Sequence, residues 1–403
     1  MSESKKELIL HLGQHKTGSK ALQFFLAKNA GRLRGRGIFY PLKPNNSRGI
    51  PAYAKSHFRV FALLRRQAMI ESGDGKAAEE FWHRYGIYCE PFETLDDIFD
   101  SFDSQMTRFK ANRLLISAED LFDLHTTSEA DFTLRRLETA VHIMVDLIRK
   151  RNYDPRLIVY LRRQDHLLVS HYAQFIKGDG HHDLDFKTFS RLFAPRLKSL
   201  HPLEFWAKAF GPKKIRVLPY EKAALPEGIV PDFFEKVLGF APPPEWPKPE
   251  EEPEAANVSP PRDFVEFIRL QNERANRHQS AFPRRLVLET ARRESAGPGG
   301  TGDWFSDRER AELLQRHSKD NLKIARRFLG PKVKDLFQEK ALKGVAKGYS
   351  GLSPERVLEI SLQVTRLRRE EKSRRRKKRL ILTAVFLAAL LMLAVGFKWS
   401  GVF

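Results

Sequence analysis

Through the first 240 residues, short apolar runs alternate with stretches in which apolar residues recur every three or four positions. The short runs lie at 8–12, 38–40, 114–117, 157–161 and 215–218. The helical stretches lie at 17–30, 131–151, 165–177 and 202–210. In the first of these, Leu22, Phe24, Phe25 and Leu26 form the face to be buried, while Lys28, Arg32 and Arg34 stay wet. Residues 42–112 are mixed and partly helical, as expected of an insertion over the sheet. This alternation predicts an α/β core over 1–240: a central parallel sheet flanked by helices.

Beyond it the pattern changes. Eight prolines between Pro242 and Pro261, among many Glu, predict an extended linker over 241–262. Helical periodicity resumes over 263–331, a helical C-terminal part of the same domain. A basic helical region follows over 332–379, in which Ser353-Pro354 reads as an N-cap with Pro in the first turn. From Leu380 to Phe397 the chain is apolar except for Thr383. As a helix, that segment is about 27 Å long, enough to cross a hydrocarbon core.

Charge sharpens this picture. The chain of 403 residues carries a formal net charge of +21. The run 366–379 alone holds ten Lys or Arg against two Glu, a net +8 directly before the apolar segment. By the positive-inside rule, 380–397 is expected to be a single-pass C-terminal anchor with the large N-terminal part cytoplasmic. Arg374 to Arg379 would then meet anionic lipid headgroups. The Met1 end has no signal-peptide pattern. Cys89 is the single cysteine, which excludes an internal disulfide and a cysteine-based zinc site. Nucleic acid is not expected as a partner, because no zinc-finger, homeodomain or aromatic RNA-binding motif accompanies the charge.

Two strand ends carry candidate chemistry. After the first strand comes Gly13-Gln14-His15-Lys16-Thr17-Gly18-Ser19-Lys20. A Gly-bounded turn into a helix aims backbone N–H groups at one point, at the positive end of the helix dipole, and so suits a phosphate. Gly13 and Gly18 have the spacing of the G-x-x-x-x-G-K-[ST] loop, but Ser19-Lys20 reverses its last two positions, and the loop lysine comes earlier, at Lys16. The second corner is Arg162-Arg163 at the end of the strand 157–161, with Ser170 eight residues after Arg162. A guanidinium fork and a hydroxyl can grip one phosphate from two sides.

Together these motifs resemble the bacterial type of sulfotransferase that uses 3′-phosphoadenosine-5′-phosphosulfate (PAPS). Supporting likenesses run from Gly37-Ile38-Phe39-Tyr40-Pro41, through Phe205–Gly211 and Ile215–Glu221, to Asn321–Gly330. The resemblance implies a P-loop-like sulfotransferase fold over residues 6–331. It implies that His15, Lys16, Thr17, Gly18, Ser19 and Lys20 hold the 5′-phosphosulfate, although Lys20 stands where Thr or Ser is usual. Arg162 and Ser170 would hold the 3′-phosphate, and no metal is required. Sulfuryl transfer to an acceptor hydroxyl then needs Lys16 to stabilise the leaving phosphate and a general base.

Two residues qualify as that base: Glu119, at the end of the strand 114–117, and His57, after the second strand. The strand end favours Glu119. The His181-His182-Asp183 loop reads as a solvated acceptor-side loop rather than a metal site. The anchor suggests an acceptor on a glycan, a glycolipid or another membrane-associated molecule. The rival readings are a phosphate-loop small-molecule kinase and a non-enzymatic basic scaffold at the membrane surface.

Overall fold

The computed structural model describes residues 5–42, 56–122, 134–178, 180–247, 260–279, 281–295, 303–339 and 349–399. It has a five-stranded parallel sheet: β1 (Lys6–His11), β2 (Ile38–Phe39), β3 (Arg113–Ser117), β4 (Tyr153–Arg162) and β5 (Ile215–Tyr220). The strand order is β2-β3-β1-β4-β5. The register runs Leu8↔Leu114, Leu10↔Leu157 and Val159↔Val217. All five expected strands are present, and β4 begins four residues earlier than the apolar run, at Tyr153.

Successive residues of each strand point into different cores. Leu8, Leu10, Leu114, Ile116, Leu157 and Val159 face one cluster; Ile9, Leu115, Ile158 and Tyr160 face the other. A sheet covered on both faces needs apolar residues on both sides of its strands, which explains the unbroken apolar runs. Helices α1 (Ser19–Lys28) and α2 (Ala30–Arg34) cover the second face. The first face is covered by α3 (Phe58–Glu71), α4 (Gly75–Tyr85), α5 (Leu95–Arg108), α6 (Leu134–Lys150) and, after α7 (Gln164–Lys177) and α8 (Phe186–Phe193), by α9 (Leu200–Phe210). The chain moves outward from β1 to β2 and then steps back across the sheet to β3, β4 and β5. Crossovers of one hand therefore put the first connection on one face and the later ones on the other.

Two expectations need correction. The first helix is not continuous to residue 30: it ends at Asn29, whose amide donates to Phe25 O at 3.0 Å and to Pro247 O at 3.1 Å. Nor is the start of the Pro-rich stretch unpacked. After α10 (Ile229–Phe233), Trp246 is buried against Phe25 and Phe234. Residues 248–259 lie outside the described residues.

The chain divides into two compact units. The sheet belongs to Met1–His171, Phe189–Ala256 and Asp307–Val345, which includes α13 (Asp307–Ile324). The second unit, Tyr172–Thr188, Asn257–Ser306 and Ala346–Phe403, holds α11 (Arg262–Asn276), α12 (Arg284–Ser295) and α14 (Pro354–Trp399). There Tyr172, Phe186 and Trp304 form an aromatic cluster with centroids 4.9–5.1 Å apart. Ile360, Val364 and Leu367 bury one face of α14, and Ser353 Oγ caps its start by accepting from Arg356 N. Among the described residues no helix is long and apolar enough to cross a membrane. Within 380–397 the side chains of 384–386 and of 388 onward lie outside the described residues.

Candidate active site

The order β3-β1-β4 places β1 between strands reached by opposite movements of the chain. In open α/β sheets such a switch point opens a crevice at the carboxyl ends of the strands. Here those ends carry the Gly13–Ser19 loop after β1, Glu119 after β3 and Arg162 at the end of β4.

The loop is built from backbone conformation. Gly13, Lys16 and Gly18 all lie in the left-handed region, with φ of 65°, 70° and 76°. Two glycines are required for a second reason as well. A Cβ on Gly13 would sit 3.0 Å from Glu119 Cα, and one on Gly18 would sit 3.1 Å from the Tyr220 hydroxyl. Lys16 has a Cβ and still adopts φ 70°, a conformation that costs a non-glycine residue about 1–2 kcal/mol. Its carbonyl is held there: Arg162 Nη1 donates to Lys16 O at 2.9 Å. Thr17, fully buried, donates its hydroxyl to Gln14 O at 2.6 Å. Gly18 is the residue before α1, and no side chain caps that helix. The Ser19 hydroxyl is buried in its first turn; it helps to hold the charge of Glu119 without making a hydrogen bond of full geometry. Lys20 is exposed.

Glu119 starts a single 3₁₀ turn, Glu119–Leu121. His15 lies between two carboxylates, with Nδ1 3.7 Å from Glu119 and Nε2 3.5 Å from Asp120. Burial alone would raise the pKa of Glu119, but His15, Ser19 and Lys20 outweigh it and lower it to about 2. Across the site, burial lowers the pKa of Arg162. His171, on α7 directly after the buried Ser170, is pushed down to about 2 by burial and then by His15, Lys16, Arg196 and Arg162. Four groups that are cations or can become cations thus converge on one neutral imidazole. That positive field suits an anion of high charge.

His57 sits apart from this cluster. Its Nδ1 accepts from Ser117 N at 3.0 Å, which leaves the proton on Nε2 to be donated to Pro41 O at 3.0 Å. The ring ties the end of β3 to the chain after β2, and burial pushes its pKa down to about 4. Arg163 turns away from the loop and grips Asp165 at 2.8 and 3.0 Å. Asp165, fully buried, is also paired with Arg310. The His181–Asp183 loop is held by α11, with Asn272 donating to His182 O at 2.7 Å and Asn276 to His181 O at 2.9 Å.

Three participants carried no signal of their own in the sequence. Gln14 is 2% exposed and bonded on both sides of its amide. Arg196 and Tyr220 approach the site from elements remote in sequence. No protein-family model matches the chain, and no curated protein matches its sequence.

Proposed function

We propose that the chain is a PAPS-dependent sulfotransferase that moves a sulfuryl group to a hydroxyl of a membrane-associated acceptor such as a glycan or glycolipid. The observation that carries this reading is the bond from Arg162 Nη1 to Lys16 O, because it unites two phosphate-type corners at one strand switch point. The residues fit the group. Gly13 and Gly18 let the loop pack closely against Glu119 and Tyr220, and the Ser19 hydroxyl is buried with no full hydrogen bond. When bound, PAPS supplies the activated sulfuryl group. Lys16 and the N–H groups of Thr17 to Ser19 stabilise the charge left on its 5′-phosphate. Arg162 and Ser170 take the 3′-phosphate, and Arg196 adds to the field.

Glu119 is the base in this reading. It stands at the loop with its carboxylate turned toward His15, whereas both ring nitrogens of His57 are occupied by backbone. A carboxylate with a pKa near 2 is a weak base, but the negative charge of a bound phosphosulfate opposes the cations that lower it. Residues 380–397 anchor the enzyme, with Arg374 to Arg379 on anionic lipid. In support, α14 continues to Trp399, and Leu380, Ile381, Leu382 and Leu387 are exposed.

The test is to incubate the full chain with sulfur-labelled PAPS and a membrane lipid extract. Label should enter the lipid fraction with the wild type and not with Lys16→Ala. Phosphate transfer from labelled ATP–Mg²⁺ under the same conditions would favour the kinase reading instead. No transfer from either donor, in a chain that still binds adenosine 3′,5′-bisphosphate, would favour the scaffold.

A further inference from the structure

We propose that Gln14 is a positioning residue that makes the grip of the loop on a 5′-phosphate group depend on the corner that takes a 3′-phosphate. The inference rests on the reading of this site as a PAPS clamp. Gln14 Oε1 accepts from Arg162 N at 2.9 Å, and its Nε2 donates to Ser199 Oγ at 3.2 Å. Its own carbonyl accepts from the Thr17 hydroxyl at 2.6 Å. The Arg162 guanidinium then returns to the loop at Lys16 O, 2.9 Å away.

These bonds close a ring. The Gln14 side chain fixes the backbone of Arg162, the Arg162 side chain fixes the backbone of Lys16, and Thr17 ties the loop back to Gln14. A guanidinium has five N–H donors, and Lys16 O takes one of them, so the rest can meet a phosphate. An anion on Arg162 therefore orders the same side chain that holds Lys16 in its left-handed conformation. The amide sits within this ring at 2% exposure, out of reach of water that could replace its bonds. A nucleotide with both phosphates should gain more than the sum of two separate contacts, as expected of groups in one hydrogen-bond network.

The experiment measures, by calorimetry on the full chain, the affinities for adenosine 3′,5′-bisphosphate and adenosine 5′-monophosphate. Their ratio is the 3′-phosphate preference. The wild type should prefer the bisphosphate by about 100-fold, the upper end for hydrogen bonds to a charged group. Gln14→Met keeps the length and removes the bonds. It should reduce the preference to about tenfold, while monophosphate affinity falls by less than about threefold. Ser199→Ala loosens the amide from outside and should reduce the preference about threefold, which keeps a readout if Gln14→Met does not fold. Equal losses for both nucleotides would overturn the proposal and make Gln14 a mere support of the loop. So would an unchanged preference in Ser199→Ala. A wild type with no 3′-phosphate preference would instead overturn the clamp reading itself.

Discussion

At the end of β1 the cation sits on backbone that is itself left-handed; at the end of β4 two adjacent arginines sit on ordinary backbone and part company. Lys16 lies between Gly13 and Gly18, in a loop whose shape comes from φ values and from bonds to its own carbonyls. Arg162 reaches across to that loop, while Arg163 turns inward to Asp165 and the carbonyl of Glu339. The two corners read alike along the chain, as strand, basic turn and helix. One is shaped by backbone strain and the other by the division of labour between neighbouring side chains. A cation that faces a fully buried carboxylate is committed to the fold, and one that faces a carbonyl keeps charge to offer a ligand.

The sharpest way to break this comparison is to truncate the two arginines separately. Arg163→Ala takes away the bidentate partner of the buried Asp165 and leaves it Arg310 and, 3.8 Å away, His166; breaking a buried pair costs about 3–5 kcal/mol. Denaturant unfolding should show that loss, whereas Arg162→Ala should unfold within about 1 kcal/mol of the wild type and lose its affinity for the bisphosphate instead. Equal destabilisation by both would erase the distinction. Next in size, Lys16→Ala should lower kcat by about 10²–10³, the effect of removing one preorganised donor to developing charge, with melting temperature little changed.

Histidine ionisation gives a third prediction. His57 is neutral in the fold, with a pKa of about 4 against 6.5 when unfolded. The unfolded chain therefore binds the extra proton between those values, so stability is complete above pH 6.5 and falls as pH drops toward 4. By pH 5 this one group removes about 2 kcal/mol. His57→Gln keeps an acceptor for Ser117 N and a donor for Pro41 O without titrating. Its stability should fall less than that of the wild type between pH 7 and pH 5, by about that amount. An unchanged pH slope would show that the ring is not held neutral. Glu119→Gln, which removes the carboxylate read as the base, should abolish turnover while preserving nucleotide binding. The smallest effect is expected at Lys20, which is exposed: Lys20→Thr should alter bisphosphate affinity within about threefold.

Much of the fold was legible in the chain. The five strands announce themselves because a sheet buried on both faces leaves no polar alternate positions. The loop after β1 was legible because glycine spacing reports backbone shape. Less visible were features that depend on pairs distant in sequence. Gln14 meets Ser199, Asp165 meets Arg310, and Glu221 accepts from the backbone of Gln338 and Glu339; no local pattern encodes such partners. The break at Asn29 was hidden for the same reason, since part of its cause is Pro247. His57 and Glu119 both qualify along the chain because each follows a strand, and the strand end gives Glu119 a small advantage. The gap widens when the ring of His57 is seen bonded to backbone on both sides.

The central claim, that two phosphate corners act on one nucleotide, is tested most directly by thermal unfolding of the full chain with adenosine 3′,5′-bisphosphate in the absence of Mg²⁺. A ligand present at about 100 times its Kd stabilises the folded state by about 2.7 kcal/mol, a shift that is easily read. The bisphosphate should raise the melting temperature, Arg162→Ala should abolish the rise, and ATP–Mg²⁺ should produce little. Stabilisation by ATP–Mg²⁺ but not by the bisphosphate would contradict the account.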